Sequence, residues 1–243
     1  MADPQVLFEV SDHVATLTLN RPEKLNALTP GMFDELERHM AEAEANSDIR
    51  CLVLTGAGRS FCAGHDLESL ADTDNPDHLR HAAETIDRLE NLPFPTVAKI
   101  RGHCMTGGLE LALACDLLVA AQSAQFADTH GKWGLAPVWG MSVRLSERIG
   151  RAKAKELSFT SRRIDGRTAD ALGLVNHCAS EDRLDDAVEE LLVAIIGNSA
   201  GTNRIYKALM THHAGTTRSD ALTFERGLPF GVPDDFGQRL GKT

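Results

Sequence analysis

The first of two segments that carry ionisable residues suited to chemistry is "TGGLELALACD", residues 106–116. Between Thr106 and Cys115, Glu110 is the one charged residue, so the pattern predicts a helix buried on all sides. Burying an unpaired carboxylate is costly, so Glu110 must be paired, protonated or placed at a cavity where a ligand approaches. The alternative is a structural Glu near a helix start. With Thr106 as N-cap, however, Glu110 lies one residue beyond the capping-box position.

The second segment is "QFADTHGKWGLAPVWG", residues 125–140. An imidazole at His130 can accept or donate a proton near neutral pH and can hydrogen-bond a water molecule. Asp128 would orient this ring if both side chains face one side of an extended segment. The alternative is that His130 is a polar loop residue bonded to backbone. Trp133 and Trp139 either line a pocket or anchor the loop by packing.

Two glycine turns predict exposed backbone amides. Gly107 and Gly108 stand at the start of the predicted helix, where N–H groups have no intrahelical acceptor. In "TGAGRSFCAGHDLESL", Gly64 precedes His65, and Asp66 is the predicted N-cap of the next helix. Two such amides are the minimum for an oxyanion hole. It would stabilise the enolate-like charge on a thioester carbonyl, with each donor worth about 3 kcal/mol.

The same glycine turn does not match a dinucleotide-binding motif, because Phe61 stands where the third glycine is required. The formal charge of −10, from 35 acidic and 25 basic residues, argues against a protein that coats nucleic acid or an anionic membrane. The N-terminal segment lacks a signal-peptide pattern, and no apolar run approaches the roughly 20 residues of a membrane span. We therefore expect a soluble, cytoplasmic protein without membrane insertion.

The five cysteines are scattered and form no C-x-x-C pair, which predicts free, buried thiols and no metal site. The hydrophobic pattern predicts two strands at residues 6–10 and 14–19, followed by a helix with Thr29 as N-cap. Strands and helices then alternate, which predicts parallel pairing in an α/β fold. The chain from about Asp182, a candidate N-cap, is expected to be mostly helical.

Several motifs together resemble the enoyl-CoA hydratase/isomerase, or crotonase, superfamily over roughly residues 5–215. They are "RPEKLNAL", "VLTGAGRSFCAGHDL", "PTVAKIRGHCMTGGLELALACDLLVAAQSAQFAD", Gly134 and Pro137 of the following loop, and "RIDGRTADALGLVN". The resemblance implies an α/β crotonase fold, a spiral of ββα units with two nearly perpendicular sheets. It implies a core domain at residues 1–190 and a helical region at 191–243 used in trimerisation. The ligand would be an acyl-CoA substrate with no further cofactor, and the assembly a homotrimer or hexamer.

The resemblance also assigns site residues. The oxyanion amides fall on His65 and Gly107, the two amides that the glycine turns already single out. The CoA contacts are expected at Lys24, Leu25, Cys62, Ala63, Asp66 and Leu67. The acyl pocket is expected to include Asp128, Trp133, Pro137 and Trp139.

In the hydratases of this superfamily, two glutamates hold the water that adds to the double bond. Glu110 matches the first, but the second falls on His130, and Thr106 stands where glycine is common. The expected activity is a 2-enoyl-CoA hydratase-like lyase, in which Glu110 activates water and His130 positions it or assists protonation. The alternatives are isomerisation, which the missing glutamate weakens, decarboxylation, in which the side chain of His65 would meet a carboxylate, and a non-catalytic acyl-CoA-binding protein.

Overall fold

The computed structural model describes residues 3–70 and 76–241, and these residues form a mixed α/β structure with a helical C-terminal region. The strands are β1 (Val6–Ser11), β2 (Val14–Leu19), β3 (Cys51–Gly56), β4 (Thr96–Ile100), β5 (His103–Met105), β6 (Leu117–Ala121), β7 (Gln125–Ala127), β8 (Ile164–Asp165) and β9 (His177–Ala179). The helices are α1 (Pro30–Ala45), α2 (Leu67–Leu70), α3 (Pro76–Glu90), α4 (Gly107–Leu113), α5 (His130–Trp133), α6 (Met141–Thr160), α7 (Gly166–Ala171), α8 (Leu184–Gly197), α9 (Ala200–His213), α10 (Arg218–Arg226) and α11 (Phe236–Leu240).

The larger sheet has the strand order β1-β2-β3-β4-β6-β9. All its pairs are parallel except β1 with β2, which confirms the parallel pairing expected from the alternation of strands and helices. The two antiparallel strands are joined at Asp12 and His13, both with positive φ. Two consecutive residues of this kind match the right-handed twist of a tight hairpin.

Helix α1 begins as the sequence predicts. Thr29 is extended, and its side chain accepts the amide N–H of Met32 at 3.2 Å, while Pro30 occupies the first helical position. One face of the helix is buried in the core, including Met32, Phe33 and Leu36. Phe33 reaches far enough inward to contact Trp139 next to the site described below.

The smaller sheet, β5-β7-β8, positions that site. Strands β5 and β7 are parallel, with Met105 opposite Ala127, so their carboxyl ends lie side by side. Cys62 forms a further parallel bridge with Cys104 on the other side of β5. Three parallel chain segments therefore end on the same side of this sheet. The carboxyl ends of parallel strands are where ligand sites usually lie.

The start of α8 differs from the prediction. Asp182 was expected to cap this helix, but it lies inside a 3₁₀ turn over Glu181–Arg183, and α8 begins at Leu184 without a side-chain cap. An N-cap residue needs non-helical, usually extended, backbone. Ser180, immediately before the 3₁₀ turn, has that extended conformation. The helical backbone therefore begins at Glu181, and Asp182 already lies within it.

Helix α8 also crosses the predicted boundary between residues 190 and 191. Val188 and Leu192, on either side of it, both belong to the main hydrophobic core. The division into two regions stays a prediction.

All five cysteines are free, four of them buried and Cys178 partly exposed, so the predicted free thiols are confirmed. Within residues 3–70 and 76–241, no helix is both long and apolar enough to cross a membrane.

Candidate active site

A cavity of about 210 Å³ opens beyond the carboxyl ends of β5 and β7. One side is polar and carries Glu110 with the other residues predicted for the chemistry, namely His65, Gly107 and His130, and also Thr106, the predicted N-cap. The other side is apolar and consists of Leu79, Leu135, Ala136, Val138 and Trp139. The structure thus brings together residues that are up to 74 positions apart in the sequence, from His65 to Trp139.

The two glycine turns meet at one wall of this cavity. Leu28 N donates to Gly64 O and Asp66 N donates to Leu28 O, both at 2.8 Å, so the intervening amide of His65 points away from Leu28. Gly107 is the first residue of α4, where an amide has no intrahelical acceptor. His65 N lies 3.4 Å from the position that a Cβ would take on Gly107. The backbone of the two turns is therefore close together at this wall, where the oxyanion hole is predicted.

Glu110 is paired and faces the cavity. Its side chain is 1% exposed, and Oε1 accepts the amide N–H groups of Trp139 at 3.2 Å and Met141 at 3.1 Å. Burial raises the pKa of Glu110 although the positive His130 and the two amides act in the opposite direction. Because Oε1 is held by the backbone, Oε2 is the oxygen left to face His130.

Thr106 occupies the position before α4 but does not cap it, contrary to the prediction. Its φ of 48° and ψ of −110° are unusual for a β-branched residue, and its side chain accepts no hydrogen bond from the helix. The hydroxyl is bonded instead to the hydroxyl of Thr129, and it accepts the amide N–H of Thr129 at 3.1 Å. The Thr106 side chain therefore does not cap α4. It connects the start of α4 to Thr129, the residue before His130.

His130 and Asp128 form a direct pair. Asp128 Oδ1 lies 2.7 Å from His130 Nδ1 and also accepts the His130 amide N–H at 3.1 Å. The sequence interpretation expected them to meet across an extended segment, but β7 ends at Ala127 and the pair meets within a tight turn into α5. Because an ionised carboxylate only accepts hydrogen bonds, Nδ1 carries a proton and Nε2 faces Glu110 Oε2 at 3.6 Å.

The electrostatics favour a charged imidazole. Burial acts to lower the pKa of His130, but the hydrogen bond to Asp128 and the charges of Glu110 and Asp128 outweigh it, so the pKa is raised. Burial acts to raise the pKa of Asp128, and hydrogen bonds with His130 and Ser158 lower it overall. The carboxyl groups of Asp128 and Glu110 therefore favour the protonated form of the imidazole that lies between them.

Trp139 is both a packing anchor and part of the cavity wall. It is 4% exposed, and its indole N–H donates to Leu79 O at 3.2 Å. The ring lies 5.0 Å from the imidazole of His65 and 5.2 Å from the ring of Phe33, measured between centroids. A Cβ on Gly107 would lie 2.6 Å from Cζ3 of Trp139, so glycine is required for the indole to pack there.

The other residues predicted for the acyl pocket lie elsewhere. Asp128 and Pro137 line a neighbouring cavity of about 780 Å³, and His130 and Leu135 belong to the walls of both cavities. Trp133 is placed outside them on α5 and is 59% exposed. The short helix ends directly after it at Gly134, which adopts a left-handed conformation.

Two chain segments predicted to contact CoA, one with Lys24 and Leu25 and the other around Ala63, lie side by side. Ala63 N donates to Leu25 O at 3.0 Å, which joins the two segments. Asp66 Oδ1 accepts the amide N–H of Glu68 at 3.0 Å and so caps α2, as predicted. Lys24, with a half-exposed side chain, pairs with Glu68 at 3.3 Å.

Among the residues predicted to contact CoA, Cys62 is wholly buried. Its amide N–H donates to His103 O at 2.8 Å, and its carbonyl oxygen accepts the amide N–H of Met105 at 3.0 Å. Burial raises the pKa of its thiol to about 12, so it is a packed, neutral group. Leu67 begins α2, and its side chain lies outside the described part of the chain. The CoA contacts assigned to these residues remain predictions.

Two supporting residues were missed by the sequence interpretation. Asn26 is fully buried with φ of 57°, accepts Arg21 N at 2.9 Å and donates to Ala57 O and Ser60 O at 2.9 and 2.7 Å. Arg21 pairs with Asp66 at 2.9 Å. The signal was the asparagine in "RPEKLNAL", a residue type that tolerates left-handed backbone. A polar loop residue, however, is usually solvated.

The sequence could not predict that the amides of Trp139 and Met141 bind Glu110, because every residue but proline has an amide N–H. Within the described ranges, no group of three or more His, Cys, Asp or Glu side chains is placed to hold a metal ion.

Comparisons with known proteins agree with this architecture. Residues 9–232 match the family model described as enoyl-CoA hydratase/isomerase. An Arabidopsis thaliana protein named "Probable enoyl-CoA hydratase 1, peroxisomal" is 36% identical over 89% of this chain and 82% of its own length.

Solved structures give the same result for the fold. The enoyl-CoA hydratase from Bacillus anthracis superposes with a TM-score of 0.89 at 31% identity, covering 94% of this chain and 91% of that one. A Thermobifida fusca chain solved in complex with CoA has a TM-score of 0.85 at 27% identity, covering 98% and 95% of the two chains. These similarities confirm the predicted crotonase fold. The chain belongs to the enoyl-CoA hydratase/isomerase family.

Proposed function

We propose that this enzyme adds water across the double bond of a 2-enoyl-CoA thioester and forms a 3-hydroxyacyl-CoA. The observation that carries the proposal is the distance of 3.6 Å between Glu110 Oε2 and His130 Nε2 at the wall of the cavity that also contains the His65 and Gly107 turns. A gap of this size is too long for a direct hydrogen bond and suits two groups that contact one water molecule.

The proposed reaction begins with the thioester oxygen accepting hydrogen bonds from the amides of His65 and Gly107. Glu110 removes a proton from water, and the water oxygen bonds to C3 of the substrate. The electron pair of the double bond moves through C2 onto the thioester oxygen, where the two amides stabilise the enolate. His130 Nε2 then gives its proton to C2, and the charge returns from the oxygen.

The catalytic pair is restored by one further transfer. Glu110 now holds the proton from water and His130 is neutral, so the proton passes from Oε2 to Nε2. The net change is the addition of one water molecule, and no cofactor beyond the CoA of the substrate is needed. An imidazolium is suited to the acid role because it is held between two carboxylates that raise its pKa.

CoA binding is supported by the similarity to the Thermobifida fusca chain in complex with CoA. We propose that the predicted cluster around Lys24, Ala63 and Asp66 holds the CoA group, whose phosphates would be attracted by the half-exposed ammonium of Lys24. Local basic groups of this kind would offset the negative charge of the whole chain.

The test is incubation of the purified protein with 2-enoyl-CoAs of increasing chain length, followed by mass spectrometry. We expect a product heavier by one water molecule, carrying heavy oxygen when the reaction is run in heavy-oxygen water. Absence of this product at every chain length would refute the proposal. Binding of acyl-CoA in calorimetry without turnover would instead favour a non-catalytic acyl-CoA-binding protein.

The two catalytic alternatives give different products. Isomerisation of a 3-enoyl-CoA leaves the mass unchanged, whereas decarboxylation releases CO₂ from an acyl group that carries a carboxylate. Burial lowers the pKa of His65, so its side chain is neutral near neutral pH and offers no positive charge to such a carboxylate. The structure therefore gives hydration more support than decarboxylation.

For the assembly, we propose the homotrimer or hexamer that the family resemblance implies. Large apolar side chains are exposed on the surface next to the site, among them Val143 on α6, 57% exposed, and Phe159 on the same helix, 81% exposed. Such a patch on a folded protein is typical of an interaction surface. Light scattering coupled to size-exclusion chromatography measures the assembly, and a monomer would contradict the proposal.

A further inference from the structure

We infer that Trp139 restricts the substrate to a short acyl chain. The inference rests on the proposed acyl-CoA ligand, but it concerns the size of the acyl group and not the reaction. Trp139 lines the site cavity, and its ring lies against Gly107, whose amide is proposed to bind the thioester oxygen. An acyl chain that leaves the carbonyl carbon must therefore pass this indole at once.

The indole is held in place from several directions. Its N–H donates to Leu79 O at 3.2 Å, and its ring packs between His65 and the edge-on ring of Phe33, with centroids 5.0 and 5.2 Å away. The backbone amide of the same residue donates to Glu110. Moving the ring aside for a longer chain would break the bond to Leu79 and expose a side chain that is 96% buried.

The space that remains beside the ring is small. The cavity of about 210 Å³ lies below the range of roughly 300 to 1,000 Å³ that is typical of pockets for drug-sized ligands. Part of it belongs to Glu110 and His130 and must hold the attacking water. The apolar remainder, bounded by Leu79, Val138 and Trp139, is suited to the few carbons of a butenoyl or hexenoyl group.

A neighbouring cavity of about 780 Å³ shares two lining residues with this space. His130 and Leu135 line both cavities and stand where the two adjoin. His130 is fixed in that wall by its 2.7 Å bond to Asp128. A long chain directed toward the larger cavity would pass the side chain of Leu135, so a substitution there provides an independent test of where the limit lies.

The experiment measures kcat/KM for crotonyl-, hexenoyl-, octenoyl- and decenoyl-CoA with the wild type and the variants Trp139→Phe and Trp139→Ala. For the wild type we expect decenoyl-CoA to react at least tenfold less efficiently than crotonyl-CoA, since a change of one methylene in a tight pocket is worth about 10-fold or more. In Trp139→Ala that ratio should fall by about tenfold or more, with Trp139→Phe in between. Tyr206→Ala, which removes an aromatic ring that is 58% exposed on α9, is the matched control and should leave the ratio unchanged.

Other outcomes would overturn the inference. One is a wild type that uses decenoyl-CoA as well as crotonyl-CoA. Another is a chain-length limit that Leu135→Ala relieves and Trp139→Ala does not. Circular dichroism checks that the variants fold, and if Trp139→Ala does not, Leu79→Ala opens the same wall while its backbone carbonyl still accepts the indole N–H.

A binding measurement separates this inference from the proposed reaction. Calorimetry with saturated butanoyl-, hexanoyl-, octanoyl- and decanoyl-CoA should show weaker binding of the longer chains to the wild type, and less of this loss in Trp139→Ala. If that pattern appears while no 2-enoyl-CoA is hydrated, the hydratase proposal fails and the inference stands. If hydration occurs and decanoyl-CoA binds as tightly as butanoyl-CoA, the inference fails alone.

Discussion

His130 Nε2 faces Glu110 Oε2 at 3.6 Å, while the other nitrogen of the same ring is bonded to Asp128 at 2.7 Å. The first contact joins α5 to α4, and the second keeps a proton on Nδ1 and fixes the orientation of the ring. In the proposed function Glu110 is the base and His130 the acid. Backbone amides hold the carboxyl group of Glu110 in position, and Asp128 and Glu110 act to raise the pKa of the imidazole.

Replacing Glu110 by Gln should lower kcat for hydration by about 10²- to 10⁴-fold, because the base is removed while the shape is kept. The amide oxygen of Gln can still accept the N–H groups of Trp139 and Met141, so we expect little change in thermal unfolding. Glu189→Gln, the same substitution on the exposed surface of α8, serves as the control and should retain full activity. Unchanged hydration in Glu110→Gln would show that another group is the base.

Replacing His130 by Ala should lower kcat/KM by about 10²-fold or more, because the acid that delivers a proton to C2 is lost. Steady-state kinetics measures the loss, and circular dichroism checks that the variant remains folded. A folded variant with unaltered turnover would make His130 a structural residue of the loop.

Replacing Asp128 by Asn tests whether Asp128 acts through His130. The carboxylate of Asp128 contributes to the raised pKa of His130, so Asn should lower that pKa. Activity that needs the imidazolium is lost as pH rises through this pKa, so the alkaline limb of the profile of kcat/KM against pH should move to lower pH in the variant. A purely structural role would lower activity at every pH and leave the limb in place.

The stability of the protein should depend on His130 in a defined pH range. Its pKa is raised in the folded state, so its stabilising contribution is fully present below the unfolded pKa of about 6.5 and is lost as pH rises through the folded value. The free energy of unfolding of the wild type, relative to His130→Gln, should therefore be larger near pH 6 than near pH 9. Urea unfolding at several pH values measures it, and a difference that grew with pH would contradict the raised pKa.

Replacing Gly107 by Ala should destabilise the protein by about 1 to 3 kcal/mol, because the new methyl group would lie 2.6 Å from Trp139 Cζ3. The same shift would move the amide of Gly107 and lower activity. Gly131→Ala is a matched control on α5, where a Cβ would make an ordinary contact of 3.6 Å with Ser161 Oγ. Equal unfolding midpoints for the two variants would show that the indole is not packed against Gly107.

The sequence by itself determined the elements and the candidate groups. The hydrophobic pattern located the β1 and β2 strands, Thr29 located the start of α1, and a lone carboxylate in an apolar helix singled out Glu110. Local signals of this kind depend on a few neighbouring residues, so they can be recognised without the fold. Two glycine turns singled out the amides of His65 and Gly107. The combined motifs extended this to the family and to the expected role of His130 at the position of a second glutamate.

Only the tertiary structure decided how these groups meet. The parallel pairing of β5 and β7 brings Glu110 and His130 to 3.6 Å, and a return of the loop after α5 places the amide of Trp139 on Glu110. Thr106 and Asp182 were assigned to caps by residue type, yet the backbone at each had another conformation, which tertiary contacts and the preceding turn impose. Trp133 and Trp139 are the same residue type six positions apart, and one is exposed while the other closes the cavity. Which of them is buried depends on packing against α3, α4 and Phe33, and none of these contacts is local in sequence.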